Sequence, residues 1–286
     1  FTGSAGDFLV GIEQAWLFVD SRYHEQADLE VNSSLIQVSK LGLEGHKTLV
    51  ETLETLGQSA PGFRLGFDPF TLAVEQFRIF QKQLEPAGIK LVFVLENLVD
   101  KVRIQSPWIE SDPLPALGDS QLFPLPDAVA GETTAEKLTR VREAMQKANT
   151  DILPITKLDQ VAWLFNLRGW DIPYNPVFIA YAVITGDGAF LFTNLARMAD
   201  EIQATLQKHV TLLPYKQYEE SLKSLISQSN NLRVLLDPKH TTMGTYCLLE
   251  GVRVVETANP IEGMKARKNA IEILQMQVAN LKASRG

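Results

Sequence analysis

Phe63-Arg64-Leu65-Gly66-Phe67-Asp68-Pro69 and Leu232-Arg233-Val234-Leu235-Leu236-Asp237-Pro238 read as one phrase written twice. Each is a short apolar run, the mark of a strand, closed by Asp-Pro. The aspartate favours a turn, and the proline removes a backbone donor. The patterns around the two phrases repeat as well. Ala15-Trp16-Leu17-Phe18 parallels Ala189-Phe190-Leu191-Phe192 at an offset of 174 positions, against 169 for Asp68 and Asp237. One or two changes of loop length account for the difference.

In the first half, Phe8–Ile12 and Trp16–Val19 read as a hairpin and Tyr23–Leu29 as a helix. A strand follows at Ser34–Leu41, then a helix at His46–Leu56 with Leu49, Leu53 and Leu56 at helical spacing. The Phe63–Phe67 strand leads to a helix over Thr71–Leu84, with Leu72, Phe77 and Phe80 facing the core, and to a strand at Ile89–Leu95. In the second half, Thr133-Thr134-Ala135-Glu136 fits a capping box, followed by a stripe of Leu138, Val141, Met145 and Ala148. Ile152–Thr156 reads as a strand and Asp159–Phe165 as a short helix. Val177–Thr185 and Ala189–Thr193 form a hairpin about Gly186-Asp187-Gly188. Then come a helix at Arg197–His209, strand Val210–Leu213, helix Tyr218–Ile226, strand Leu232–Leu236 and strand Val252–Val255.

Both halves share the order hairpin, helix, strand, helix, strand ending in Asp-Pro, helix, strand. Chance recurrence of apolar runs before Asp-Pro is the bland alternative, and a common order of seven elements favours duplication. The second half has a helix, a strand and a helix ahead of its hairpin, whereas the first begins at its hairpin. The expectation is that the equivalent leading elements lie upstream of Phe1, and that a first half without them is poorly stable. The end at Ile271–Lys282 reads as helix, so the chain is expected to stop inside something too. Between Pro107 and Pro126 stand Pro113, Pro115 and Pro124, and this stretch is expected to hold no regular structure. The predicted organisation is a first domain over 1–105, a Pro-rich linker over 106–130, a second domain over 131–260 and the start of a third over 261–286.

Bulk composition narrows the function classes. The 286 residues carry 45% hydrophobic and 21% charged residues, an ordinary globular balance. A net charge of −7, spread along the chain rather than gathered in a tail, argues against nucleic acid, which needs a basic face. No apolar run approaches the roughly 18 residues of a membrane span. Cys247 is the one cysteine, which fits a reducing compartment. His24, His46, His209 and His240 have no ligand spacing and read as surface or capping residues.

Leu158-Asp159-Gln160-Val161-Ala162-Trp163-Leu164-Phe165-Asn166-Leu167-Arg168-Gly169, with Asn175-Pro176-Val177-Phe178, closely resembles the second domain of three-domain Xaa-Pro aminopeptidases, the aminopeptidase P family. Phe1-Thr2-Gly3-Ser4-Ala5-Gly6 resembles the family's first-domain glycine turn. Asp20-Ser21-Arg22-Tyr23 with Gln26-Ala27 resembles its Asp-Gly-Arg-Tyr segment, with Ser21 in place of glycine. Glu96–Lys101 resembles the end of the first domain, and Met264–Asn269 the basic segment that opens the third.

The resemblance implies an α/β fold of two tandem creatinase-type, ribonuclease H-like domains, each a mixed sheet flanked by helices. It implies a cytoplasmic, homodimeric metallopeptidase that removes the residue before a proline in second position. Two divalent ions, usually manganese, would sit in a third, pita-bread domain and activate a bridging water. None of the metal ligands would lie in this chain, which by itself would be inactive, would bind no cofactor, and would meet proline-containing peptides by shaping the cleft.

The resemblance points to Arg22 as the substrate-binding residue, because a guanidinium donates two parallel hydrogen bonds to a carbonyl or carboxylate. The plainer reading is that Arg22 starts a helix and pairs with Asp20 or Glu25. Trp163 and Phe165, two apart, cannot share a helix face, so one is expected to be exposed or to meet another domain. Arg168-Gly169 reads as a helix end with a left-handed glycine. Asp20, Asp68 and Asp237 raise a nuclease alternative, but Asp68 and Asp237 precede prolines in different halves and read as turn residues. The alternative of another class is a non-catalytic protein-binding module.

Overall fold

The computed structural model describes residues 1–60, 62–107, 109–110, 118–228 and 231–285. The chain forms two units, one of Phe1–Phe67 and Phe77–Val94, the other of Asp68–Gln76 and Leu95–Gly286.

In the first unit, β1 (Asp7–Val10) and β2 (Ala15–Val19) make the expected hairpin, with Asp7 opposite Phe18. Helix α1 (His24–Glu30) carries the chain over so that β3 (Ile36–Lys40) runs parallel to β2. Helix α2 (Leu49–Ser59) opens on a capping box of Thr48 and Glu51. Strand β4 (Arg64–Phe67), helix α3 (Val74–Leu84) and strand β5 (Lys90–Phe93) follow, and β4 and β5 are parallel. Alternate side chains of β2 are buried on opposite faces of the sheet. Trp16 and Phe18 join Leu9, Leu53, Leu84 and Ile89, while Leu17 and Val19 pack with Ala27 of α1.

The second unit continues through α4 (Leu98–Gln105), β6 (Phe123–Pro124), α5 (Asp127–Ala130) and α6 (Thr134–Lys147). Thr133 and Glu136 form the predicted capping box, and Leu138, Val141 and Met145 are buried. Strand β7 (Ile152–Ile155), helix α7 (Leu158–Leu164) and the short β8 (Leu167–Arg168) lead to the hairpin of β9 (Tyr181–Thr185) and β10 (Ala189–Thr193). Then come α8 (Asp200–Leu206), β11 (Thr211–Pro214), α9 (Tyr218–Ser227) and β12 (Arg233–Leu236). The last elements are α10 (Met243–Cys247), β13 (Arg253–Glu256), α11 (Pro260–Ala266) and α12 (Ala270–Ala283). Six strands form one sheet in the order β11-β10-β9-β7-β12-β13. At its centre β7, buried at all four residues, runs antiparallel to β9 and parallel to β12.

The duplication is visible in the pairing. β3-β2-β1 of the first unit corresponds to β11-β10-β9, and β4-β5 to β12-β13. The exception is the centre. Among the described residues no strand of the first unit takes the place of β7, and its sheet is two pieces, β1-β2-β3 and β4-β5. One apolar cluster still joins the pieces, with Leu9 from β1 and the half-buried Leu65 and Leu91 from β4 and β5.

Several expectations need correction. The stretch from Pro107 to Pro126 does hold regular structure among its described residues: Leu122 is buried, and β6 pairs with β8. Pro124 is tolerated because β6 is an edge strand, and Pro126 because it stands just before a helix, where no donor is lost. Pro113 and Pro115 lie outside the described residues. The strand predicted over Val177–Thr185 begins only at Tyr181. Val177 and Phe178 are buried all the same, and an apolar run shows burial rather than pairing. The helix predicted over Arg197–His209 shrinks to Asp200–Leu206, behind a 3-10 turn at Leu195–Arg197.

Candidate functional site

The Asp20-Ser21-Arg22-Tyr23 segment leaves the C-terminal end of β2. Asp20 accepts the backbone N–H of Arg22 at 3.0 Å, which caps the 3-10 turn Ser21–Tyr23 and replaces a partner the turn lacks. The same carboxylate is gripped by the guanidinium: Nε donates to Oδ1 at 2.9 Å and Nη2 to Oδ2 at 2.6 Å. Hydrogen bonds from Arg22 hold the Asp20 carboxyl down to about 2, and Asp20 in turn raises Arg22. The guanidinium also lies over the Tyr23 ring, 5.2 Å from its centre.

This pair stays open to solvent, with the Arg22 side chain 64% exposed. Of five N–H donors, Asp20 takes two, so among the described residues both on Nη1 and one on Nη2 are left to meet a ligand oxygen. The Phe1–Gly6 segment supports the arrangement from behind. Ser4 and Tyr23 share a short hydroxyl hydrogen bond, and the Phe1 ring meets the Tyr23 ring edge-on. Thr2 donates its N–H to Glu30 at 2.7 Å and accepts from Gln26 at 2.9 Å. At Gly3 a Cβ would stand 2.3 Å from the Phe1 ring, so a larger residue there would push that ring aside. Glu25 does not pair with Arg22 among the hydrogen bonds of the described residues; Asp20 does.

The Trp163–Gly169 block is interior. Trp163 and Phe165 are both buried, so of the two expected outcomes for the pair exposure is not the one observed, and both pack within the unit. The helix ends at Leu164, so Phe165 lies beyond it and the helical-face argument does not reach it. Nor does Gly169 supply the left-handed residue. Asn166 does, at φ 50°, stabilised by side-chain bonds to the Glu132 carbonyl and Lys137. Gly169 is needed instead for close packing, because a Cβ would come 2.9 Å from both Leu122 and Phe178.

Sequence reasoning missed Lys137, which is buried on the α6 face beneath this block. Its Nζ donates to the Trp163 carbonyl at 2.8 Å and to Asn166 Oδ1 at 2.6 Å, and stands 4.3 Å from the centre of the Trp163 ring. Burial lowers its pKa to about 8, against the opposing pull of Glu132 and Glu272. The unfolded chain therefore holds a proton that the folded chain has lost between about pH 8 and the ordinary lysine value. Stability is expected to rise with pH through that window, by about 2–3 kcal/mol. Tyr181 and Tyr218 act in the opposite sense, since burial raises both phenols. Above about pH 10 the unfolded chain ionises them and the folded chain does not, so stability falls again. Urea midpoints of the second unit should thus peak near pH 10; a steady fall from pH 8 would show that Lys137 titrates as an ordinary lysine.

The aspartates of the nuclease alternative are turn residues. Asp68 accepts the Phe70 N–H at 2.9 Å and the Asn97 side-chain N–H at 3.0 Å. Asp237 accepts from Lys239 N, Asn259 N and His240 Nδ1 at 3.0, 2.8 and 3.0 Å. The correspondence extends the repeat. Asn97 follows β5 and caps α4; Asn259 follows β13 and caps α11. Among the described residues no three of His, Cys, Asp and Glu gather to hold a metal ion. Nor is any described helix long and apolar enough to cross a membrane.

Two family profiles, both described as Creatinase/Prolidase N-terminal domain, match residues 1–105 and 113–272. A Probable Xaa-Pro aminopeptidase P of Neosartorya fischeri is 34% identical over 99% of this chain, which covers 42% of that protein. Another, of Laccaria bicolor, is 36% identical over 96% of this chain and 41% of its own. An X-prolyl aminopeptidase of Caenorhabditis elegans, described as a cytosolic enzyme with a di-nuclear active site, matches in structure with a TM-score of 0.84 at 28% identity. That match covers 96% of this chain and 44% of the nematode enzyme. The chain spans about two-fifths of the length of the curated relatives it matches.

Proposed function

The chain belongs to the creatinase/prolidase N-terminal domain family, and from that premise we propose that it is the N-terminal portion of a Xaa-Pro aminopeptidase. The observation that carries this reading is the continuous match, at 34% identity over 99% of the chain, to a protein named for that activity. The parent enzyme removes the first residue from peptides with proline in second position. Its two divalent ions, manganese by family habit, are held by residues outside this chain, which accordingly has no peptidase activity of its own. This portion contributes to the cleft and to a homodimer in a cytoplasmic enzyme.

Arg22 is the residue assigned to the peptide. Asp20 fixes the plane of the guanidinium, and the free N–H groups on Nη1 and Nη2 then donate to a substrate carbonyl. A hydrogen bond to a charged group is worth about 1.5–3 kcal/mol, so Arg22→Ala in the parent enzyme is expected to lower kcat/KM about 10- to 100-fold. Arg22→Lys keeps the charge without the fork and should fall between. Unchanged kinetics for Arg22→Ala would remove the assignment. Residues 1–286 assayed with manganese and an Xaa-Pro peptide should show no hydrolysis; turnover would place the metal site within this chain.

A further inference from the structure

Helix α7 carries two buried polar atoms that find no partner among the described residues, one a donor and one an acceptor. Asp159 and Trp163 are four residues apart, hence neighbours on one helix face. Both line a cleft of about 270 Å³ in the second unit, with Arg168, Pro176, Val177 and Lys268. Trp163 is 6% exposed, and its indole N–H, which only donates, meets no acceptor. Asp159 is anchored by one oxygen alone: Oδ2 accepts from Lys265, while the buried Oδ1 meets no donor.

Arg168 adds charge to the same cleft. Its Nη1 donates to the backbone carbonyls of Ala162 and Leu167 at 2.8 and 2.9 Å. Among the described residues its guanidinium has no carboxylate at ion-pair distance. Burial pushes its pKa down, offset in part by Glu272. Glu272 lines the cleft too and offsets part of this charge from beyond ion-pair distance, so the poorly solvated guanidinium keeps donors for an incoming anion. Lys268, bonded to the Lys265 carbonyl at 2.7 Å, adds a second positive charge at the rim.

These features name a ligand class. A residue in an extended peptide shows its N–H and C=O on one edge, so it offers a donor to Asp159 and an acceptor to Trp163. The free guanidinium N–H groups match a carboxylate. The volume lies just under the roughly 300–1,000 Å³ of drug-sized sites, which suits a short segment. We propose that this cleft binds a short peptide, its main chain held by Trp163 and Asp159 and its carboxylate by Arg168. The site needs no metal and is separate from the Arg22 assignment.

The test uses residues 1–286 with ¹⁵N-labelled tryptophan and two probes, N-acetyl-dialanine with a free carboxylate and the same peptide as its C-terminal amide. The Trp163 indole N–H signal, identified by its loss in Trp163→Phe, is expected to shift saturably with the acid. The amide should need at least about tenfold higher concentration, the effect of losing one charged hydrogen bond. Arg168→Gln should erase that preference, and Arg168→Lys should keep part of it should the glutamine variant fail to fold. An indole signal that does not respond, equal affinity for the two probes, or saturation by sodium acetate at the same concentration overturns the proposal.

Discussion

Replacing Arg197 by methionine is expected to destabilise the second unit by roughly 3–5 kcal/mol. Arg197 and Asp171 form an ion pair that is 2% exposed on both sides. Nη1 donates to both carboxylate oxygens at 2.6 and 2.7 Å, and Nη2 donates to the Ile179 carbonyl and the Thr193 hydroxyl. Asp171 also accepts from the Ser120 hydroxyl at 2.6 Å and the Ile179 N–H at 2.6 Å. Burial alone would raise the Asp171 carboxyl; the bonds from Arg197, Ser120 and Ile179 outweigh it and hold the group below its usual range. Methionine fills the volume and leaves that carboxylate buried without its counter-charge, which is the costly half of the exchange. Asp171→Asn in the same background, which discharges the stranded group, should recover part of the loss. Urea unfolding followed by near-UV circular dichroism measures both, and a loss below about 1 kcal/mol for Arg197→Met would show that water reaches the pair.

The second large effect concerns the two sheets. Amides of β1 and β4 in the first unit are expected to exchange with solvent about a thousandfold faster than those of β7, β9 and β12 in the second. In the second unit β7 satisfies β9 on one side and β12 on the other. In the first, among the described residues, β1 pairs only with β2 and β4 only with β5. The free edges put backbone donors into water, and Phe8 and Val10 on β1 are 55% and 67% exposed. A thousandfold corresponds to about 4 kcal/mol of opening free energy, a large share of the 5–15 kcal/mol that a domain commands. Hydrogen exchange resolved by peptide checks this directly. Equal protection in β1 and β7 would mean that the shared cluster around Leu9, Leu65 and Leu91 holds the first unit without a central strand.

The repeat was legible because Asp-Pro stops and apolar runs are local signals, and their order survives loop changes. The Thr133 cap was legible for the same reason, as a four-residue motif. Helix α10 was not, since a single turn offers no periodicity to read. The Asp171–Arg197 pair joins residues 26 apart, and an ordinary aspartate and arginine carry no mark of burial. Lys137 escaped for a related reason: on the helical wheel it reads as a surface lysine until the Trp163 carbonyl and Asn166 close over it. Asp20-Ser21-Arg22 was legible as a motif, whereas the division of the guanidinium between Asp20 and solvent is a matter of geometry alone.

The knots formed by Asp68 with Asn97 and by Asp237 with Asn259 bear on how the two halves drifted apart. The strands they fasten have exchanged nearly every side chain: Phe63-Arg64-Leu65-Gly66-Phe67 stands against Leu232-Arg233-Val234-Leu235-Leu236. Apolar packing allows such drift, because one hydrocarbon of suitable volume replaces another. A directed bond has no half-measures, since losing either partner strands the other. The two knots keep the aspartate and reach the asparagine differently, through the Asn97 side chain in one half and the Asn259 backbone N–H in the other, so the fastening outlasts a change in the atoms that make it.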